Sequence, residues 1–330
     1  MDITSVAAAG GQFPGTGPES LNPITGNAQR TLGATWGAWT GEFDVDWTPD
    51  PSLLAYAKYS RGYKSGGWST YTLGANPEVQ PEYVDAIEVG AKKTIGSTWT
   101  LNGDIFYYNY YGEQVPLSVV NSVGQIVPIL YNIPLVHDYG IELWGTWHPI
   151  DPLVVTLSYS NLNATIAKSA CVEDTADPLA IQAGAKTAGC VETAADLAAG
   201  TIVQNIKGQQ IPSATPNKVS LNGLYTFNFD PGKLVLSASI IWKDTTYYDV
   251  FNRPYTKANP YTQVNLRATW SGDNNRYNVI AFIDNVFDTN GYDGAGGTLL
   301  QNSGGVEDIL YTPALTAPRT FGIQLQYRWK

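Results

Sequence analysis

Charge is scarce in this sequence. Only 15% of its 330 residues are Asp, Glu, Lys or Arg, against about 25% in an ordinary water-soluble domain. Long apolar runs are missing too. No stretch approaches about 18 consecutive apolar residues, which argues against a transmembrane helix, and a mean hydropathy of −0.16 is too polar for a helical membrane protein. Positive charge is the minority: 19 Lys and Arg face 29 Asp and Glu, a net −10. That balance speaks against nucleic acid as a partner and against attraction to an anionic membrane surface. Met1-Asp2-Ile3-Thr4-Ser5 shows neither a basic segment nor an apolar core, so no secretory leader is read there, and the chain is expected to be a fragment or split product. With 2 His and 2 Cys, and no CxxC spacing, no metal site is expected. In an oxidising compartment, Cys171 and Cys190 would close a loop of about 20 residues, worth on the order of 3 kcal/mol; two free thiols are the alternative.

What is abundant is aromatic residues and glycine: 21 Tyr, 10 Trp and 33 Gly. They accompany an alternation of period two in segments of ten or more residues, bounded by turn residues. Leu234, Leu236, Ala238, Ile240 and Trp242 share one face, with Lys233, Ser237, Ser239 and Lys243 on the other. Val219, Leu221, Tyr225, Phe227 and Phe229 alternate in the same way with Lys218, Ser220, Asn222, Thr226 and Asn228. Strands are expected at 33–47, 53–63, 82–94, 98–112, 134–147, 152–166, 214–229, 233–247, 260–270, 276–287 and 318–329. Residues 1–32 lack the pattern and read as irregular, on the extracellular side; 33–330 form the strand-rich body. A short helix is expected within the Ala-rich stretch 171–200.

A β-sandwich also alternates, so two further features decide the class. Aromatic residues gather at the ends of the apolar faces (Trp39 and Trp47, Trp99 and Tyr111, Tyr139 and Trp147, Tyr225 and Phe229), as at the two lipid–water interfaces. Connections also alternate between short turns, such as Asp230-Pro231-Gly232, and long loops at about 64–81, 113–133, 167–213, 248–259 and 288–317. The pattern defines an all-β chain of antiparallel transmembrane β-barrel strands in the outer membrane of a Gram-negative cell, with outer-membrane lipid as its surroundings. About eleven strands are counted, and single-chain bacterial barrels have an even number. The expectation is a partial barrel whose edges need strands supplied from elsewhere, because unpaired backbone in lipid costs several kcal/mol per group.

Five segments then carry a resemblance. Ser60-Arg61-Gly62-Tyr63-Lys64-Ser65-Gly66-Gly67-Trp68, Glu82-Tyr83-Val84-Asp85-Ala86-Ile87-Glu88-Val89-Gly90-Ala91-Lys92, Gly140-Ile141-Glu142-Leu143, Asp284-Asn285-Val286-Phe287-Asp288 and Pro318-Arg319-Thr320-Phe321-Gly322 resemble, in order, stretches of the TonB-dependent outer-membrane receptors. Ile87 stands where the family usually has an aromatic residue, and Lys330 follows the terminal Trp329. The resemblance implies the C-terminal half of a 22-stranded barrel, with the N-terminal barrel strands, the plug and the TonB-contacting segment lying outside the chain. It also implies import of a small scarce nutrient, an iron-siderophore being the foremost reading.

Catalysis finds little support. His137 and His148 have no nucleophile with a supporting arrangement. Glu42, Asp44 and Asp46 read as a solvated acidic strip on the lumen face near the periplasmic rim rather than an acid–base pair. Asp288-Thr289-Asn290-Gly291-Tyr292-Asp293 echoes a calcium loop without its terminal Glu and reads as a polar turn. No catalytic residue and no cofactor is assigned. Ligand-contact candidates are Arg61, Trp68, Tyr108, Tyr110, Tyr247 and Tyr248, which a ligand could meet by stacking near the outer mouth.

Overall fold

The computed structural model of the protein describes residues 19–21, 28–30, 33–68, 78–120, 126–172, 189–190, 203–272, 276–301 and 307–329. Eleven strands form one antiparallel sheet in strict chain order. They are β1 (Gly41–Asp50), β2 (Leu53–Lys64), β3 (Glu82–Ile95), β4 (Trp99–Tyr111), β5 (Val136–Ile150), β6 (Leu153–Ile166), β7 (Asn217–Phe229), β8 (Gly232–Lys243), β9 (Tyr261–Gly272), β10 (Tyr277–Asp284) and β11 (Thr320–Tyr327). The only helical turn among the described residues is Pro254–Thr256. All eleven expected strands are present, with one boundary well off. Residues 33–40 lie outside β1, and Trp36 packs instead on Trp68, ring centroids 5.9 Å apart. Most of residues 1–32 and of the Ala-rich stretch lies outside the described residues; there Glu19–Leu21 pairs with Ala28–Arg30, and Cys171–Val172 with Gln204–Asn205.

The lateral register shows why this sheet belongs in a bilayer. Residues opposite one another form rows that cross the strands. One outward row reads Val45, Ala57, Val89, Ile105, Ile141, then Asn161 and Asn217. Above it on the first five strands stand Phe43, Tyr59, Ile87, Tyr107 and Tyr139, and above those Gly41, Arg61, Asp85, Asn109 and His137. Apolar, aromatic and polar thus succeed one another in three steps, as hydrocarbon, interface and water would demand.

A barrel strand tilts by about 35–45°, so a row at right angles to it must climb the wall. The next lower row does so. It starts at Trp47 beside the short turns, passes Ala55, Ala91, Gly103, Leu143, Tyr159 and Val219, and reaches Trp242 and then Thr262 beside the long loops. Seven strand spacings of ~4.8 Å at that tilt rise roughly 20–25 Å, the height of the apolar band. A further row begins at Ile95 with the stacked pair Trp99 and Trp147, 5.0 Å apart, and ends at Ile283 and Phe321. A dry core between stacked sheets would have no reason to place rings at both ends of each ascent.

The sheet is open. Among the described residues β1 and β11 do not pair with each other. Every residue of β1 is exposed, and at the other edge Phe321, Ile323 and Leu325 are 77%, 73% and 76% exposed.

The long-loop side carries further structure that the sequence pattern did not suggest. Glu113–Val120 pairs with Ile126–Ile133, and Tyr292–Gln301 with Glu307–Leu315. Val115, Leu117 and Ile133 of the first hairpin meet Ala170, Val172, Ile206, Val250 and Phe251 in a buried cluster that rests on Val136 and Ile166 of the wall. Separate loops are thus fused into a cap. The Cys171–Cys190 disulfide, with Cα atoms 5.6 Å apart, is tied into it.

Candidate functional site

The cap and the inner wall below it hold most of the polar chemistry. Tyr108 and Tyr110 point inward from β4, as alternation requires. The Tyr108 hydroxyl lies 3.5 Å from Glu88, and Tyr56 donates to the same carboxylate at 2.6 Å. Gly90 makes the second contact possible: the Tyr56 ring lies over it, and a Cβ there would come within 2.6 Å of the ring. Tyr110 packs against the cap cluster that includes Val250 and Phe251. Tyr247 and Tyr248 follow β8. The Tyr247 carbonyl accepts from Ser213 N, and the Tyr248 hydroxyl donates to the Tyr292 carbonyl at 3.1 Å. The cap therefore brings Tyr110 and the Tyr247–Tyr248 segment into one assembly. Trp68 packs on Trp36, and the segment that carries it is tied to the cap hairpin, where Gln114 Nε2 donates to the Ser65 carbonyl at 2.9 Å.

Arg61 lies on the opposite face. It shares the outward row with Asp85, to which its guanidinium donates at 3.1 Å, and it lies 5.5 Å from the Tyr83 ring centroid. Asn109 and Tyr107 engage His137 Nδ1 at 2.7 and 3.0 Å, one strand pair further along the same face. Of the inward acids of β1, Glu42 pairs with Lys58 at 3.3 Å. The three climb the strand, and only Asp46 sits next to the rim residue Trp47.

Two groups escape sequence reasoning. Glu113 opens the cap hairpin with one carboxylate oxygen buried and unpartnered. Burial, then the neighbouring Asp138 and Glu82 carboxylates, push its carboxyl up to about 8 against the opposing pull of Lys64. The second is a concavity of about 440 Å³ on the inner wall, bounded by Asp104 and Glu142 on one side and Lys218 and Lys243 on the other.

The remaining motif residues are structural. Asn285, 1% exposed with φ 53°, donates to the Thr289 and Ala317 carbonyls and accepts from Thr289 N. Asp288 accepts from Arg319 N at 2.8 Å. Together they fasten the start of the last long loop to its end, which accounts for both the Asn-Val-Phe-Asp and the Pro-Arg segments.

This is the open, loop-capped wall of a transmembrane β-barrel. Residues 9–286 match the model of the family described as TonB dependent receptor-like, beta-barrel, and the chain belongs to that family. Solved structures of like fold include the ferric yersiniabactin uptake receptor FyuA from Yersinia pestis, 14% identical with a TM-score of 0.64 over 91% of this chain and 39% of that one. They also include BauA, the ferric preacinetobactin receptor from Acinetobacter baumannii, 17% identical with a TM-score of 0.56 over 93% and 38%. The chain thus spans about two fifths of the length of these receptors. A comparison with curated proteins finds no match.

Proposed function

We propose that this chain is the C-terminal half of the wall of a Gram-negative outer-membrane receptor that imports a scarce nutrient, a ferric siderophore being the foremost reading, with TonB engaged through a part outside the chain. The observation that carries the reading is the open eleven-stranded wall with a polar inner face and a fused loop cap on one side only. The unpaired edges of β1 and β11 call for further strands, because backbone groups in lipid must be satisfied. Both edge strands run in the same direction, so only an odd number of added strands closes the barrel with antiparallel pairing throughout. An N-terminal barrel half with its plug meets that requirement. The cap side is then extracellular, and Trp68, Tyr108, Tyr110, Tyr247 and Tyr248 are the proposed ligand contacts. The Arg61 guanidinium is held by Asp85 on the outer face.

FyuA is an uptake receptor for ferric yersiniabactin and BauA a receptor for ferric preacinetobactin, which supports the siderophore reading. A second reading, a transport-inactive wall, is favoured by the same two open edges. The test is iron uptake in iron-limited cells by a receptor in which this wall is joined to an N-terminal barrel half and plug. Uptake that falls at least tenfold in a Trp68→Ala, Tyr247→Ala, Tyr248→Ala triple variant supports the proposal. Absence of uptake in the joined receptor, with the barrel assembled, contradicts it and favours the inactive wall.

A further inference from the structure

One inner row reads Asp46, Tyr56, Gly90, Asp104, Glu142, Ser160, Lys218, Lys243 and Tyr261 across nine successive strands. Its charges are sorted: three carboxylates on the β1–β5 side, two ammonium groups on the β7–β8 side, and Ser160 alone between Glu142 and Lys218. Since the row climbs the wall, the acidic end lies low and the basic end lies beneath the loop cap. The 440 Å³ concavity sits across the junction of the two signs, a volume within the range of small-ligand sites. Among the described residues, Asp104, Glu142 and Lys218 have no ion-pair partner, whereas Lys243 lies 3.8 Å from Asp293.

Charges of opposite sign facing each other across a groove are a template for their mirror image. A cation alone would satisfy the acids and be repelled by Lys218; an anion alone would do the reverse. We propose that this groove is a subsite for a small zwitterion, its ammonium set against Asp104 and Glu142 and its carboxylate against Lys218 and Lys243. Glu142 and Lys218 stand two strands apart, roughly 10 Å between Cα atoms, which matches the length of an extended three-residue peptide, about 10 Å. Ser158, Ser160 and Ser220 supply hydroxyls along the intervening floor, and Trp144 gives an apolar side. This deepens the transport reading by naming a charge class for cargo moving along the wall, and rests on it only for that biological role.

The binding itself is testable on the chain as it stands, folded in detergent micelles, with triglycine as probe. Triglycine should bind, and N-acetyltriglycine and triglycinamide, each lacking one charge, should bind about tenfold more weakly or less. Glu142→Gln and Lys218→Met should each weaken triglycine by a similar factor. The fourfold exchange Asp104→Lys, Glu142→Lys, Lys218→Glu, Lys243→Glu should restore it, because the whole template is then reversed. Strand circular dichroism unchanged from the parent chain verifies folding in every variant. The proposal is overturned if triglycine fails to bind the parent chain, if the blocked peptides bind equally well, or if the fourfold exchange stays as weak as the single variants. None of these results bears on iron uptake through the aromatic contacts, so the two readings fail separately.

Discussion

Glu113 illustrates how one side chain makes a loop cap sensitive to pH. Its carboxyl moves from 4.5 to about 8 on folding, chiefly through burial. Below about 4.5 both states carry the proton and the group is neutral to stability. Between 4.5 and about 8 the unfolded hairpin has released the proton while the folded one retains it, so the cap loses stability as pH rises through that window. Hydrogen exchange of the 113–133 hairpin, corrected for intrinsic rate, should therefore show protection falling from about pH 5 to about pH 9. In Glu113→Gln the fall should be smaller, because the share contributed by this carboxyl is gone. Gly140 makes a steric point. A Cβ there would meet the Asn161 carbonyl oxygen of β6, whereas Gly223 has nothing within 4 Å. Gly140→Ala should cost about 1–3 kcal/mol in urea unfolding, and Gly223→Ala should be neutral or slightly stabilising. Gly140 opens a segment that the sequence marks as family-like, yet only the strand register reveals what the missing side chain avoids.

Among the elements, the strands were legible wherever lipid contact enforces strict alternation, and less so beyond the membrane. The pattern over 113–133 reads as a loop because Pro116 and Pro128 interrupt both strands of the hairpin; a two-stranded hairpin tolerates prolines that a central strand would not. Gly294, Gly296 and Gly297 hid the strand at Tyr292–Gln301 in the same way. Within the wall, adjacent residues of β6 should respond in opposite ways. Leu157 lies in an outward row between Gly145 and Leu221, while Ser158 faces inward. Leu157→Lys should cost about 2–4 kcal/mol in a bilayer and Ser158→Lys little, a contrast that urea titration of the reconstituted protein would measure. In the cap, Cys171 and Cys190 are 19 residues apart. Replacing both by Ser should lower cap stability by about 3 kcal/mol on the loop-closure account, seen as faster hydrogen exchange at Val172 and Ile206 while wall strands keep their protection.

At the scale of the molecule, composition and period were enough to reveal a membrane wall, and an odd strand count pointed to a partial barrel; that β1 and β11 do not pair, among the described residues, is visible only in the sheet itself. The inner groove was not legible. Asp104, Glu142, Lys218 and Lys243 are individually ordinary inward residues, and their common row depends on register accumulated across five strands and two long loops. The inward aromatic residues were legible from parity, but their division between cap, wall and Trp36 was not. The central claim is that every second residue of a tilted strand meets hydrocarbon and the others meet water. Single nitroxide labels placed in turn from Leu234 to Trp242 of β8, with the protein in lipid bilayers, test it most directly. The account predicts that labels at Leu234, Leu236, Ala238, Ile240 and Trp242 are relaxed by dissolved oxygen, while those at Val235, Ser237, Ser239 and Ile241 are relaxed by a water-soluble nickel complex. Equal shielding of both sets from both reagents would place the apolar rows in a dry protein core and contradict it.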